Sequence, residues 1–130
     1  MAGVAAFAAR RGLARACRRV RKDRSLGYPP CLVVETRAIS TKGFPRLRIY
    51  RPANAGPLPI LFYFHSGGWV VGSIDSHGSI TAALAVETPA AVVSVEYRRA
   101  PERVFPTAAI DCQDAVRWVF AKVEEIGGRK

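Results

Sequence analysis

The sequence predicts an α/β protein in which helices flank a central sheet. Two short apolar runs, Ile60–Phe64 and Ala91–Val95, are rich in β-branched and aromatic residues, which is typical of strands buried on both faces. A later segment, Thr107–Ile126, repeats apolar residues every three or four positions, as a helix with one core face does. A further helix is predicted between the two runs, so we expect those two strands to be parallel.

The first 27 residues form a basic segment that we expect to be separate from the domain formed by residues 28–130. The chain of 130 residues has a formal net charge of +10, and residues 1–30 contain eight Arg and Lys residues against one Asp. Arginines interrupt the apolar positions of this segment, so we interpret it as a solvated, partly helical tail. A basic helix bound to a protein or to anionic lipid and an organelle transit peptide are the alternatives.

The composition of the chain also indicates which partners it binds and where in the cell it is located. The basic segment lacks the interleaved aromatic residues that base stacking requires, so no nucleic-acid partner is expected. Membrane contact by the basic N-terminus is the weaker alternative, and no apolar run approaches the ~20 residues of a membrane helix. We favour a cytoplasmic location, with organelle targeting as the other hypothesis.

Two strands are predicted before the first apolar run. Gly27–Pro30 contains two prolines that end any preceding helix. Cys31–Arg37 is apolar and β-branched and predicts a strand, and Lys42–Pro45 predicts a turn. Leu47–Arg51 alternates apolar and basic residues, which indicates a strand exposed on one face. A loop, residues 52–59, then leads to the strand at Ile60–Phe64, which we expect to be central.

Two helices are predicted in the second half. The first covers Ser79–Glu87 and ends at Thr88-Pro89, with its core positions expected at Ile80, Ala83, Leu84 and Val86. The second begins after Pro106, where a missing N–H costs nothing. Its core face is expected to consist of Ala109, Cys112, Val116, Val119 and Val123.

A glycine turn follows the first apolar run, with the sequence His65-Ser66-Gly67-Gly68-Trp69. Paired glycines at the end of a strand expose backbone N–H groups that no side chain shields. Such donors can stabilise the negative oxygen that develops during acyl transfer.

This turn resembles the H-G-G-G-W motif of the hormone-sensitive-lipase-like α/β-hydrolases, the branch of fold-3 that includes arylacetamide deacetylases and bacterial esterases. Two further blocks are similar to the same family in the same order. Val92–Pro106 resembles V-V-S-V-D-Y-R-L-A-P-E-x-x-F-P, and Ala109–Val119 is similar to the helix that follows. The resemblance extends from about Arg46 to the end of the chain. It implies a truncated α/β-hydrolase fold with a mostly parallel central sheet.

The resemblance also implies a function and a site. It indicates a carboxylic-ester hydrolase acting on small-molecule esters, with no cofactor, in which the N–H groups of Gly67 and Gly68 line the oxyanion hole. His65, Ser66 and Trp69 are the motif and supporting residues. We expect His65 to hold the loop by a hydrogen bond, because the triad histidine of this family follows the nucleophile in the chain.

Ser66 stands where the family usually has glycine. A serine hydroxyl needs a base beside it to act as a nucleophile, and Ser66 lacks the nucleophile-turn context, so we do not expect it to be one. If its position required a positive φ, the loop would be strained.

The triad itself is missing from these 130 residues. No serine has glycine at both −2 and +2, so the sequence offers no G-x-S-x-G nucleophile, and no triad acid or base is assigned. The three cysteines form neither a C-x-x-C pair nor a zinc pattern, so no metal is expected. We expect the N-terminal part of an esterase, inactive alone. The alternative is an inactive hydrolase-like fragment or interaction module.

Other polar and apolar residues near these motifs have plainer interpretations. Trp69, Val70 and Val71 either border an acyl pocket or simply pack in the core. The charged residues after the second apolar run are expected to form a structural network; they are Glu96, Arg98, Arg99 and Glu102. Asp111 and Asp114 suit the first turns of a helix, where a carboxylate interacts favourably with the dipole.

Overall fold

The computed structural model describes residues 28–129 of the chain. The basic segment of residues 1–27 lies outside the described residues, as do the expectations stated for it, and its boundary with the domain stays a prediction. The described part contains four strands and two helices, β1 (Leu32–Ala38), β2 (Arg46–Pro52), β3 (Ile60–Phe64), α1 (Gly78–Glu87), β4 (Ala91–Glu96) and α2 (Thr107–Ala121). None of the helices in this part is long and apolar enough to cross a bilayer.

The strands form one sheet in the order β1-β2-β4-β3. β3 and β4 are parallel neighbours, with Phe62 opposite Val93, as the intervening helix predicts. β1 and β2 are antiparallel because a short turn connects them, and β2 is also antiparallel to β4. The α/β class is therefore confirmed, while within residues 28–129 the parallel part of the sheet is the β3–β4 pair.

β4, and not β3, is the most buried strand. Every residue of β4 is buried, whereas Leu61 and Phe64 of β3 are 37% and 41% exposed. β3 pairs with β4 alone among the described residues, so it lies at an edge of the sheet. The prediction that β3 is central and buried on both faces is wrong for this part of the chain, because its apolar composition does not reveal how many neighbours it has.

The two helices cover opposite faces of the sheet. On one face, residues of α1 pack against Leu32, Tyr50 and Val92. On the other face, residues of α2 pack against alternate strand residues, which are Leu47, Ile49, Val93 and Val95. Because successive side chains of a strand point to opposite faces, each of β2 and β4 contributes to both cores. The expectation of a sheet flanked by helices is thus confirmed.

α1 has the predicted position but presents a different face. Its buried residues include Thr81, Ala82 and Ala85 together with the expected Val86, whereas Ile80 is 49% exposed. The Thr81 hydroxyl tolerates burial because it donates to the carbonyl of His77 or Gly78, at 3.1 or 3.0 Å. Three alanines among ten residues leave little side-chain pattern from which to choose a face.

α2 begins at the predicted residue and ends at Ala121 instead of Ile126. Val119 and Val123 are buried as expected, but Ala115 and Asp111 are more deeply buried than Ala109, Cys112 or Val116. The predicted face differs because Asp111, expected to interact with the helix dipole from an early position, lies on the buried side. Its burial depends on a partner from outside the helix, described below.

Candidate active site

The chain turns sharply after β3 through residues 65–72. Gly67, Gly68 and Gly72 have φ angles of 134°, 61° and 92°, and Trp69 between them has a φ of 65°. The carbonyl of Gly67 accepts hydrogen bonds from the N–H groups of Val70 and Val71, at 3.1 and 3.0 Å. A side chain at Gly67 would overlap the Val71 carbonyl, whereas one at Gly68 would meet open space. Glycine is therefore required at 67 by both space and conformation, and at 68 by conformation alone.

The N–H groups of Gly67 and Gly68 have no acceptor among the residues that the structure describes. Among the hydrogen bonds of residues 28–129, neither group donates to a backbone or side-chain acceptor. Gly68 is also exposed. Two adjacent unpaired donors at the end of a strand are the arrangement that the glycine pair was expected to give, although their use by a ligand stays a prediction.

His65 lies beneath this loop and connects it to β4. It is 3% exposed, and its ring stacks on Tyr97 with centroids 4.2 Å apart and planes at 12°. The Tyr97 hydroxyl donates to the His65 carbonyl at 2.6 Å, and burial raises the pKa of that hydroxyl. His65 Nδ1 is 3.0 Å from the Ser66 carbonyl oxygen. These contacts hold the start of the loop in place.

A buried carboxylate lies next to His65. Glu96 is 3% exposed and its Oε1 is 3.9 Å from His65 Nε2. Arg46 and Arg99 approach the same carboxylate to 3.6 and 3.7 Å, and its Oε2 accepts the backbone N–H of Ile74 at 3.4 Å. Glu96 thus fastens the chain that follows the loop to the end of β4.

A second ion pair fixes the segment between β4 and α2. Asp111 is fully buried and accepts three hydrogen bonds from Arg98, at 2.9 Å from its backbone N–H and at 3.0 and 2.7 Å from its guanidinium. Glu96, Arg98 and Arg99 therefore do form structural ion pairs. Glu102 has no part in the ion pairs found among residues 28–129, and the role of Asp111 was not visible from its place in the helix.

Ser66 has a partner that the sequence did not reveal. Its exposed Oγ lies 3.2 Å from Nε2 of His77, eleven positions later in the chain. His77 Nδ1 lies 2.9 Å from Ser76 Oγ. Ser66 is not among the positive-φ residues, so replacing the usual glycine does not strain the loop. The loop returns through Gly72 to bring His77 back, and no local sequence pattern indicates that return.

Trp69, Val70 and Val71 project from the loop. They are 55%, 51% and 62% exposed, so they do not belong to the core of the described residues. The Trp69 ring lies 5.2 Å from that of Tyr97, and its carbonyl accepts the N–H of Ala100 at 2.9 Å. An apolar surface therefore borders the two free N–H groups.

No metal-binding cluster accompanies these groups in the described part of the chain. Residues 28–129 contain no set of three or more His, Cys, Asp and Glu side chains placed to hold an ion. Cys112 is a free thiol, and burial raises its pKa to about 11, so it is not a nucleophile near neutral pH.

Comparisons with known proteins point to one family. The model of the alpha/beta hydrolase fold family matches residues 61–130. The chain is 38% identical over 112 residues to carboxylesterase NlhH of Mycobacterium tuberculosis, covering 81% of this chain and 35% of that protein. It is 43% identical over 84 residues to an ethyl acetate hydrolase of Pseudomonas putida, covering 62% and 26%.

Solved structures give the same result. An esterase of Pyrobaculum calidifontis superposes with a TM-score of 0.69 at 33% identity, covering 94% of this chain and 39% of that one. An arylesterase structure gives a TM-score of 0.71 at 30% identity, covering 95% and 38%. The chain spans about a third of the length of these relatives.

Proposed function

The chain belongs to the α/β hydrolase fold family, and on that premise we propose that it supplies the oxyanion-binding part of a carboxylic-ester hydrolase. The observation that carries the proposal is the pair of unused N–H groups at Gly67 and Gly68. They lie on a loop that His65 and Tyr97 fix to the sheet, so the donors are preorganised. Donors fixed in advance stabilise the oxyanion without reorganising during the reaction.

The chemistry follows from attack on an ester carbonyl. As the carbonyl carbon becomes tetrahedral, its oxygen gains negative charge and accepts hydrogen bonds from the two N–H groups. The exposed apolar side chains of Trp69, Val70 and Val71 border this point and suit a short acyl group. The relatives from Pseudomonas putida and Aspergillus parasiticus are named for acetate esters, which favours an ester with a short acyl group as substrate. No step in this role calls for a cofactor.

The test is complementation. The 130-residue chain is joined to the C-terminal part of carboxylesterase NlhH, and hydrolysis of p-nitrophenyl acetate is measured. We expect turnover from the joined protein and none above background from the chain with the C-terminal part omitted. In the joined protein, Gly68→Val should block the donors and lower kcat by ~10²–10³-fold, the usual worth of one oxyanion-hole donor.

A matched variant separates this effect from general damage. Gly43 has open space around it and a φ of 80°, so Gly43→Val adds similar backbone strain away from the donors and should leave kcat unchanged. Equal losses in both variants, or full activity in Gly68→Val, would contradict the oxyanion assignment.

A second candidate is an interaction module without catalysis. The observation that favours it is the edge of β3 that no strand of residues 28–129 covers, beside exposed Leu61 and Phe64, since such an edge can take up another strand. Esterase activity of the joined protein distinguishes the two candidate functions, because an interaction module would gain no such activity from a C-terminal part. The weaker hypothesis of membrane contact and the expectation that no nucleic acid binds both rest on residues 1–27 and stay predictions.

A further inference from the structure

We propose that Ser66 and His77 form a nucleophile–base pair on the glycine loop, able to accept an acyl group from an activated ester. No base for Ser66 was evident from the sequence, whereas the structure places Nε2 of His77 3.2 Å from Ser66 Oγ. A nucleophile and base within hydrogen-bond reach, with the base held by a third group, form the minimal unit of covalent catalysis. The proposal rests on the proposed function in one respect, because it uses the same N–H donors.

The hydrogen bonds around His77 are compatible with the tautomer that a base needs. The Ser76 hydroxyl donates to the carbonyl of Ser73 at 3.1 Å, and its oxygen lies 2.9 Å from His77 Nδ1. In the proposed pair, Nδ1 carries the ring proton and donates to Ser76 Oγ, so the lone pair of Nε2 faces the Ser66 hydroxyl.

Ser76 is itself held in place. The backbone N–H of Ser73 donates to Ser76 Oγ at 2.9 Å, and the N–H of Ser76 donates to Ser73 Oγ at 3.0 Å. His77 lies immediately before α1, so the helix also restrains its backbone. The imidazole is thus oriented toward Ser66 by a local network.

The N–H donors that would stabilise the negative charge are adjacent to the nucleophile. Ser66 is exposed, and the next two residues are Gly67 and Gly68, whose N–H groups are unused among the described residues. In the hydrolase nucleophile turn, the N–H of the residue after the serine is likewise part of the oxyanion hole. A carbonyl attacked by Ser66 Oγ can therefore place its oxygen near these donors.

The step balances with the groups present. Ser66 Oγ forms a bond to the acyl carbon while its proton passes to His77 Nε2. The bond between the acyl carbon and the ester oxygen then breaks, and the leaving oxygen takes the proton from Nε2. The product is acyl-Ser66 and a free alcohol or phenol, formed once per chain without turnover.

The experiment is direct labelling of the 130-residue chain. It is incubated with p-nitrophenyl acetate, digested, and its acetylated peptides are identified by mass spectrometry. We expect acetylation at Ser66, its loss in Ser66→Ala, and labelling slowed by ~10²-fold in His77→Gln, the lower range for a general base. Ser76→Ala should slow the labelling of Ser66 by a smaller factor than His77→Gln does. Ser79 is an exposed serine outside the network, so Ser66 should be acetylated at the normal rate in the Ser79→Ala variant.

Other outcomes overturn the proposal. Acetylation could be confined to lysines, or the rate of Ser66 acetylation could be unchanged in both His77→Gln and Ser76→Ala. Either result would show that the Ser66–His77 contact is only a structural hydrogen bond. Far-UV circular dichroism of each variant shows whether its fold is retained, and Ser76→Ala carries the test if His77→Gln unfolds. Labelling without activity in the joined protein would reject the proposed function alone, and activity without labelling would reject this inference alone.

Discussion

The Tyr97 hydroxyl donates a hydrogen bond of 2.6 Å to the carbonyl oxygen of His65, connecting the end of β4 to the start of the glycine loop. Both residues are almost fully buried. Removing the hydroxyl would leave the carbonyl without a partner and release the loop that carries the free N–H groups.

Tyr97→Phe should therefore lower the free energy of unfolding by about 1–3 kcal/mol, the cost of an unsatisfied buried acceptor. Urea unfolding followed by circular dichroism measures the change. Tyr63→Phe is the control, because the Tyr63 hydroxyl makes no hydrogen bond with any of the described residues. A loss in Tyr63→Phe as large as that in Tyr97→Phe would disprove the special role of Tyr97.

Asp111 should be among the most sensitive positions of α2. It is fully buried with three hydrogen bonds from Arg98, whose side chain is 35% exposed, so Asp111→Ala should cost about 1.5–3 kcal/mol, the range for hydrogen bonds to a charged group. Asp114→Ala, which removes an exposed ion pair with Arg117, should cost at most about 1 kcal/mol. Chemical denaturation of both variants makes the comparison, and similar losses would refute it.

The two glycines should respond differently to alanine. Gly68→Ala meets open space and adds only the strain of a left-handed φ, about 1 kcal/mol. Gly67→Ala adds an overlap with the Val71 carbonyl to a φ of 134°, and should cost about 3 kcal/mol or more. Thermal unfolding ranks the variants, and the reverse order would show that the loop has another shape.

Cys112 should make stability depend on pH above neutrality. Burial raises the pKa of its thiol from 9.0 to about 11, so the folded protein keeps a proton that the unfolded chain releases. The contribution of the thiol is complete below about pH 9 and is lost as the pH rises toward about 11. Urea unfolding across this range should show a smaller decline for Cys112→Ala.

A matched variant identifies the source of that decline. Val116→Ala lies one turn further along α2 and removes no titratable group, so its stability should fall with pH as steeply as that of the unmodified chain. Tyr50, whose pKa burial raises to about 12, contributes to the decline that remains. Equal slopes in all three proteins would show that Cys112 is not the group responsible.

The sequence predicted the elements well because their signals are local. The strands at Ile60–Phe64 and Ala91–Val95 and the helix beginning at Thr107 were found where their patterns placed them. The exposure of β3 was missed because the number of neighbours of a strand is a property of the whole sheet.

The site was predictable only in part for the same reason. The glycine pair could be found because consecutive residues form it. The pairing of Ser66 with His77 and of Asp111 with Arg98 joins residues eleven or more positions apart. Such contacts depend on how loops return to the sheet, and the residue types alone do not specify that path.

The strand order also governs when this part of the chain can fold. β1 and β2 are adjacent in sequence and can pair as soon as both are made, whereas β3 has no partner among the described residues until β4 emerges. During synthesis from the N-terminus, the apolar strand β3 and the loop after it must therefore wait unpaired while about thirty residues are added. Before β4 appears, this apolar segment is most exposed to association with other chains. This is also the interval in which binding by a chaperone would protect it most.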